Sequence, residues 1–416
     1  MPASLLLNPF RKVIGPHTAT ADLADVADFS PAVAQRVRAF HATFSQYSPT
    51  PLVALPGLAG ELDLKNVCVK DESHRFGLNA FKVLGGSYAM ARCLAQRLNL
   101  PDQGLTKSQL HSAATSTAGT NTAADKITFI STTDGNHGRG LAWTARELGY
   151  PCIIYMPKGS EPTRRDNILA LGAQCSITDL NYDDTVRMSW KMAQEKGYVM
   201  VQDTAWEGYE QIPAWIMQGY LTLAAEILEQ LQAASIRPTH CFLQAGVGSF
   251  AAAVAAFLVA AMGSDAPRII IVEPHAANCF YQSALAGDGK AHAVGGSLQT
   301  LMAGLACGEP STLAWNILKD YTTAFMSCPD YMAANGMRML AAPVQGDQPI
   351  VSGESGAAGA GALHWLMCHP TAASQRETLG LNAEASVLLI STEGDTVPHT
   401  YRNIVWQGAY GDDGCA

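Results

Sequence analysis

The sequence predicts an α/β protein of two lobes, each a mostly parallel, twisted sheet covered by helices. Three observations predict it. Short β-rich runs alternate with helical patterns of roughly 10–15 residues, as in βαβ units. Glycine is abundant, at 37 residues, as tight strand-to-helix turns require. The 416 residues are 48% hydrophobic and 15% charged, enough for a large core, and at about 100–200 residues per domain the length allows about two to four domains.

The elements follow in order. Residues 66–70 (NVCVK) read as a strand and 80–96 as a helix. Residues 111–126 (HSAATSTAGTNTAADK) are almost wholly small and polar and read as a surface loop. Then come strand 127–131 (ITFIS), helix 137–148, strand 152–156 (CIIYM), helix 161–171, strand 174–178, helix 182–196 and strand 198–202 (YVMVQ). A second series opens with one long helix over 213–232. Strand 240–245 (HCFLQA) runs into a small-residue helix, and strands 268–273 (RIIIVE) and 387–391 (VLLIS) follow. The pattern divides the chain into a smaller lobe, 88–197, and a larger lobe made of 1–87 and 198–416.

Composition excludes several function classes. A net charge of −9 argues against nucleic-acid binding, which calls for a basic patch. The longest apolar run, 250–262, is well short of the roughly 20 residues that span a bilayer. The opening three-leucine run is too short for a signal sequence. A soluble, cytoplasmic protein is expected. The ten cysteines form no CxxC pair and none has a histidine at zinc-ligand spacing; buried thiols in a reducing compartment are expected, and no metal site. Cys279 and Cys307 bracket a glycine-rich stretch and could meet across it, with the reduced pair as the expected state.

Three loops follow predicted strands, where ligands of such sheets bind. In the first, 70–89, Lys82 is flanked by Ala80, Phe81, Val83 and Leu84. An ammonium in apolar surroundings is poorly solvated, and the free amine becomes a nucleophile; the segment alone fits a surface lysine equally well. In the second, 129–143 (FISTTDGNHGRGLAW), a polar turn rich in backbone N–H groups precedes a helix, a natural anion site. Simple capping by Thr132, Thr133 or Asp134 explains that turn by itself. In the third, 243–254 (LQAGVGSFAAAV), Gly246, Val247, Gly248 and Ser249 open a helix, where glycine lets backbone approach a phosphate. Ala251 replaces the third glycine of a dinucleotide fingerprint, and no Gly-Lys-Ser/Thr ending marks a P-loop.

In combination the three loops resemble those of the fold-type II pyridoxal-phosphate enzymes, which include threonine dehydratase, serine racemase and the tryptophan synthase β chain. Asn79-Ala80-Phe81-Lys82 is similar to the family's Schiff-base lysine motif. Thr133-Asp134-Gly135-Asn136-His137-Gly138 is similar to its substrate-carboxylate loop, and Ile390-Ser391-Thr392-Glu393-Gly394 falls where the family places a hydroxyl or thiol facing the pyridine nitrogen. The resemblance covers nearly the whole chain. It departs from the dehydratases at Asp134, where relatives carry alanine or serine, at 202–209 (QDTAWEGY) and at 302–311 (MAGLACGEPS).

The resemblance implies pyridoxal 5′-phosphate on Lys82, with the phosphate on Gly246, Val247, Gly248 and Ser249. It implies Asn136 at the cofactor O3′ and either Ser391 or Thr392 at the ring nitrogen. Thr133, Asp134, Gly135 and His137 would hold the substrate, and a homodimer is implied. Asp134 and Asp203 could balance a second positive charge on the substrate, which implies an ammonia-lyase for a diamino acid, with Lys82, Asp134 and Asp203 catalytic. Accepting both D and L isomers is part of that expectation. The alternatives are a serine or threonine dehydratase or racemase, or a non-catalytic binding protein of the same fold.

Overall fold

The computed structural model describes residues 10–12, 23–116, 127–133 and 135–411. Asp134 and residues 117–126 of the low-complexity segment lie outside them. Among the described residues the strands are, in chain order, β1 (Phe10–Lys12), β2 (Leu52–Ala54), β3 (Asn66–Asp71), β4 (Phe129–Thr132), β5 (Cys152–Met156) and β6 (Gln174–Ile177). β7 (Val199–Met200), β8 (His240–Gln244), β9 (Arg268–Pro274), β10 (Thr322–Cys328) and β11 (Ser386–Ser391) complete them.

The chain packs as two compact units, one of residues 1–30, 49–74 and 223–416, the other of 31–48 and 75–222. The first unit is built on a seven-stranded sheet in the order β1-β10-β9-β8-β11-β3-β2. Its five inner strands are parallel, and the edge strands β1 and β2 run antiparallel to their neighbours. β8 and β11 are buried at every residue, which is why both read as continuous apolar runs and not as an alternation. The helix Ser249–Met262 leaves β8 directly, and its small side chains are buried almost throughout.

The second unit holds a parallel sheet in the order β6-β5-β4-β7. Its helices carry local start and stop signals. The Asn181 side chain accepts from Asp184 N at 2.8 Å and starts Tyr182–Lys196, which Gly197 ends with φ +72°. Gly149 ends Asn136–Leu148 in the same left-handed way, φ +80°.

Four expectations change. Packing puts the divisions at 75 and 222, not at 88 and 198, because the helix Val83–Arg97 is pressed against Gln211–Gly219. A Cβ on Gly219 would lie 2.4 Å from the Leu84 carbonyl oxygen, and one on Gly85 2.6 Å from the Tyr220 ring. The single helix expected over 213–232 is two, Gln211–Gly219 and Leu221–Ala233, and Tyr220 at the break sends its ring against Phe81, 4.9 Å between centroids. The low-complexity segment begins inside a helix, Lys107–Ser116. β10 (TTAFMSC) has too mixed a composition to read as a strand. No helix among the described residues is long and apolar enough to cross a membrane.

Candidate active site

In the second unit Lys82 stands immediately before the helix Val83–Arg97, after a turn in which Asn79 takes φ +58°. Its flanks are buried as the sequence suggests: Ala80, Phe81, Val83 and Leu84 are all at most 6% exposed. The ammonium itself does not end among them. Lys82 Nζ donates to Asp203 Oδ2 at 3.0 Å. The apolar flanks expected for this lysine are joined by a largely buried ion pair, formed across 121 residues of chain.

Asp203 is buried, and a network fixes it. The neighbouring Gln202 accepts from Ser131 Oγ and Thr132 N, both at 3.0 Å, and donates from Nε2 to Tyr182 Oη at 2.9 Å and to Asp203 Oδ1 at 3.4 Å. Tyr209 Oη donates to Met200 O and accepts from Gln202 N, both at 2.9 Å, with its ring stacked on Trp206. Burial opposes ionisation of Asp203. The Lys82 ammonium, then His137, outweigh burial and hold its carboxyl below the usual carboxylate range.

The anion loop packs against the same helix start: a Cβ on Gly140 would lie 2.8 Å from Val83 Cα. Thr133 Oγ1 accepts from Gly135 N at 2.9 Å and Gly138 N at 3.1 Å. This threonine therefore caps the helix, and its hydroxyl proton is what it can still offer a ligand. Gly135 takes φ +150° with Arg164 Cδ 2.8 Å from where a Cβ would stand, so no other residue fits there. His137 is buried, and its Nε2 lies 2.8 Å from the Val201 carbonyl oxygen. A carbonyl only accepts, so that nitrogen carries a proton and points into the protein. Asn136 opens the helix Asn136–Leu148. Asp134 lies outside the described residues.

In the first unit Gly246, Val247, Gly248 and Ser249 form the turn from β8 into its helix. Gly248 has φ +89°, and a Cβ there would come within 2.3 Å of Phe280. A Cβ on Gly246 would be 3.0 Å from Leu305 Cα, so the segment 302–311 lines this turn. Val247 O accepts from Ser311 N at 3.0 Å, and Ser311 Oγ is buried with no hydrogen-bond partner. At the end of β11, Ser391 Oγ lies 2.7 Å from Ser352 Oγ, while Thr392 Oγ1 accepts from Gln244 Nε2 at 3.0 Å.

The sequence matches the pyridoxal-phosphate-dependent enzymes over residues 43–384. The chain belongs to that family. Pyridoxal-phosphate-dependent enzymes similar to it include the diaminopropionate ammonia-lyase of Salmonella typhimurium, 52% identical over 90% of this chain and 92% of that one. A crystal structure of diaminopropionate ammonia-lyase from Escherichia coli in complex with D-serine matches with TM-score 0.86 at 49% identity, over 92% and 94% of the two chains. The same enzyme in complex with an aminoacrylate-PLP azomethine reaction intermediate matches with TM-score 0.84 at 48% identity, over the same shares.

The residues present fit pyridoxal phosphate. The turn 246–249 has no space for a Cβ at Gly248 and little at Gly246, the start of an apolar helix lies behind it, and an unpartnered buried hydroxyl, Ser311, adjoins it. Sequence reasoning passed over Gln202, Gln244 and Ser311 as ligands or supports. A glutamine closing the otherwise apolar strand HCFLQ was the available signal for Gln244. If the turn takes the phosphate, Gly248→Ala should weaken cofactor binding about tenfold or more, since the left-handed backbone alone costs a side chain about 1–2 kcal/mol. Titration of the apoenzyme measures this, and unchanged affinity would remove the turn from the cofactor site.

Proposed function

We propose that this chain eliminates ammonia from 2,3-diaminopropionate, with water converting the diamino acid to pyruvate and two ammonia in all. One observation carries the reading: a buried aspartate, held ionised, stands 3.0 Å from the lysine of the Schiff-base motif. A substrate with a second ammonium needs such an anion, whereas a hydroxy amino acid would leave it uncompensated. The half-identical ammonia-lyases support the same substrate.

Pyridoxal phosphate, when bound, supplies the electron sink for the charge left on Cα. Lys82 would hold it covalently and, once displaced by the substrate's α-amine, take the Cα proton. Asp203 would face the Lys82 ammonium before the cofactor is joined and the β-ammonium of the substrate once it is bound. Gly246, Val247, Gly248 and Ser249 would hold the phosphate, and Asn136 the O3′. The Thr133 hydroxyl, with Gly135 and His137 shaping the loop, would face the substrate carboxylate. Of the two candidates for the ring nitrogen we assign Thr392. The Ser391 hydroxyl has acceptors in Ser352 Oγ and Glu393 O, whereas the Thr392 oxygen receives a proton from Gln244 and keeps its own to give. A cytoplasmic homodimer completes the reading. The buried thiols of Cys68, Cys93, Cys152, Cys241, Cys279 and Cys328 suit a reducing compartment.

Pyruvate release from diaminopropionate, serine and threonine tests the substrate; a lead for serine or threonine would make the chain a dehydratase. The isomers test Asp134. As a carboxylic acid side chain it can serve as a base, so it is assigned the Cα proton of the D isomer while Lys82 takes that of the L isomer. Both isomers should be substrates. Asp134→Asn should lower turnover of D-diaminopropionate by about a hundredfold or more, as loss of a general base does, with far less effect on the L isomer. Equal losses would give Asp134 a shared binding role, and full activity on both would leave it without a part in the chemistry.

A further inference from the structure

Gln244 ends β8, buried, one residue ahead of Ala245 and the glycine turn. Its Nε2 lies 2.9 Å from Ile390 O, 3.4 Å from Gly356 O and 3.0 Å from Thr392 Oγ1. Two of these three atoms are backbone carbonyl oxygens, which only accept. The amide is therefore fixed with its NH2 toward β11 and cannot be flipped.

That orientation has a consequence for Thr392. An amide nitrogen has no lone pair to give, so Thr392 Oγ1 is the acceptor in this bond, and its own proton is directed elsewhere. Ser391 beside it is in the opposite condition, with Ser352 Oγ at 2.7 Å and Glu393 O at 3.3 Å available to take its proton. Gln244 Oε1 meanwhile is buried without a donor. A buried polar atom left unmatched is costly, and a side chain kept at that cost while its other end orients a neighbour is more than a filler of space.

We propose that Gln244 is a positioning residue: by donating to Thr392 it makes that hydroxyl an obligate hydrogen-bond donor to the ring nitrogen of pyridoxal phosphate. The proposal rests on the assignment of Thr392 above. Its chemical effect is on protonation. A ring nitrogen that receives a hydrogen bond keeps its lone pair and stays neutral, so less charge is drawn into the ring and expulsion of a β leaving group is favoured over reprotonation at the cofactor.

The test uses the holoenzyme loaded with cofactor labelled with 15N at the ring nitrogen and reads that nitrogen's chemical shift, which separates a neutral, hydrogen-bonded pyridine from a protonated one. Wild type should show the neutral, hydrogen-bonded form. In Gln244→Glu the carboxylate can accept from Thr392 and reverse the bond, so the shift should move toward the protonated form. In Gln244→Met, of similar shape and without polar atoms, the hydrogen-bonded shift should be lost and cofactor affinity fall about fivefold to tenfold, the worth of one neutral hydrogen bond. If the Glu variant does not fold, the Met variant decides alone. Ser391→Ala should leave the shift where it is. Unchanged shifts in both Gln244 variants, with a changed shift in Thr392→Val, would overturn the role of Gln244 and keep that of Thr392. An unchanged shift in Thr392→Val would overturn both, as would a protonated nitrogen in the wild type.

Discussion

Lys82→Ala is expected to abolish turnover almost completely, to about a thousandth of wild type or less, because one residue serves as covalent anchor and as base. The variant should lose the lysine-linked absorbance while keeping the capacity to bind cofactor reversibly through the glycine turn. Borohydride reduction of the wild type should fix the label on the peptide that carries Lys82. Recovery of the label on any other lysine would end the assignment. The variant also removes the cation 3.0 Å from Asp203. With that compensation gone, burial pushes the carboxyl toward its neutral form, so a carboxyl that titrates nearer neutral pH should appear in Lys82→Ala.

Asp203→Asn should separate substrates. If Asp203 reads the β-ammonium, the variant loses a buried charge pair with diaminopropionate but none with serine. Breaking such a pair on one side costs a few kcal/mol, on the order of a hundredfold in kcat/KM or more. Equal losses on the two substrates would confine Asp203 to supporting Lys82. The pH dependence follows from the direction of its shift. A carboxyl held below its usual range contributes its charge at every pH above the ordinary carboxylate values and loses it only as pH falls through the lowered folded value. In the cofactor-free enzyme, where the Lys82 ammonium is present, a group titrating near neutrality is therefore not Asp203.

Much of the fold could be read from the chain. Runs such as CIIYM and VLLIS are apolar because parallel strands are covered on both faces, and β5 spans the residues expected of it. The helix Tyr182–Lys196 likewise starts and stops at its own Asn and Gly. What could not be read depends on contacts distant in sequence. The break at Tyr220 has one weak local sign, Gly219, and that glycine is required by the close approach of Leu84 and Gly85 from another helix. The candidate site divides in the same way. Lys82, the loop 133–138 and the turn 246–249 each have a local pattern. The pairing of Lys82 with Asp203 and of Gln244 with Thr392 joins residues more than a hundred positions apart, and a single sequence carries no mark of such pairs.

The strand order of the seven-stranded sheet bears on how the chain is made. β11, the last strand among the described residues, lies inside the sheet, between β8 and β3, and is hydrogen-bonded to both. Until residues 386–391 leave the ribosome, β2 and β3 have no partner among the later strands, and β8 presents an open, apolar edge. β4 to β7 are all present by residue 200, and the unit that holds them closes by residue 222. Synthesis from the N-terminus therefore supplies one sheet early and holds the other as two separated pieces until β11 has emerged. The late insertion of a central strand leaves those edges exposed to wrong pairing in the interval, and makes the pairing of residues 386–391 the step that commits the larger sheet to its native order.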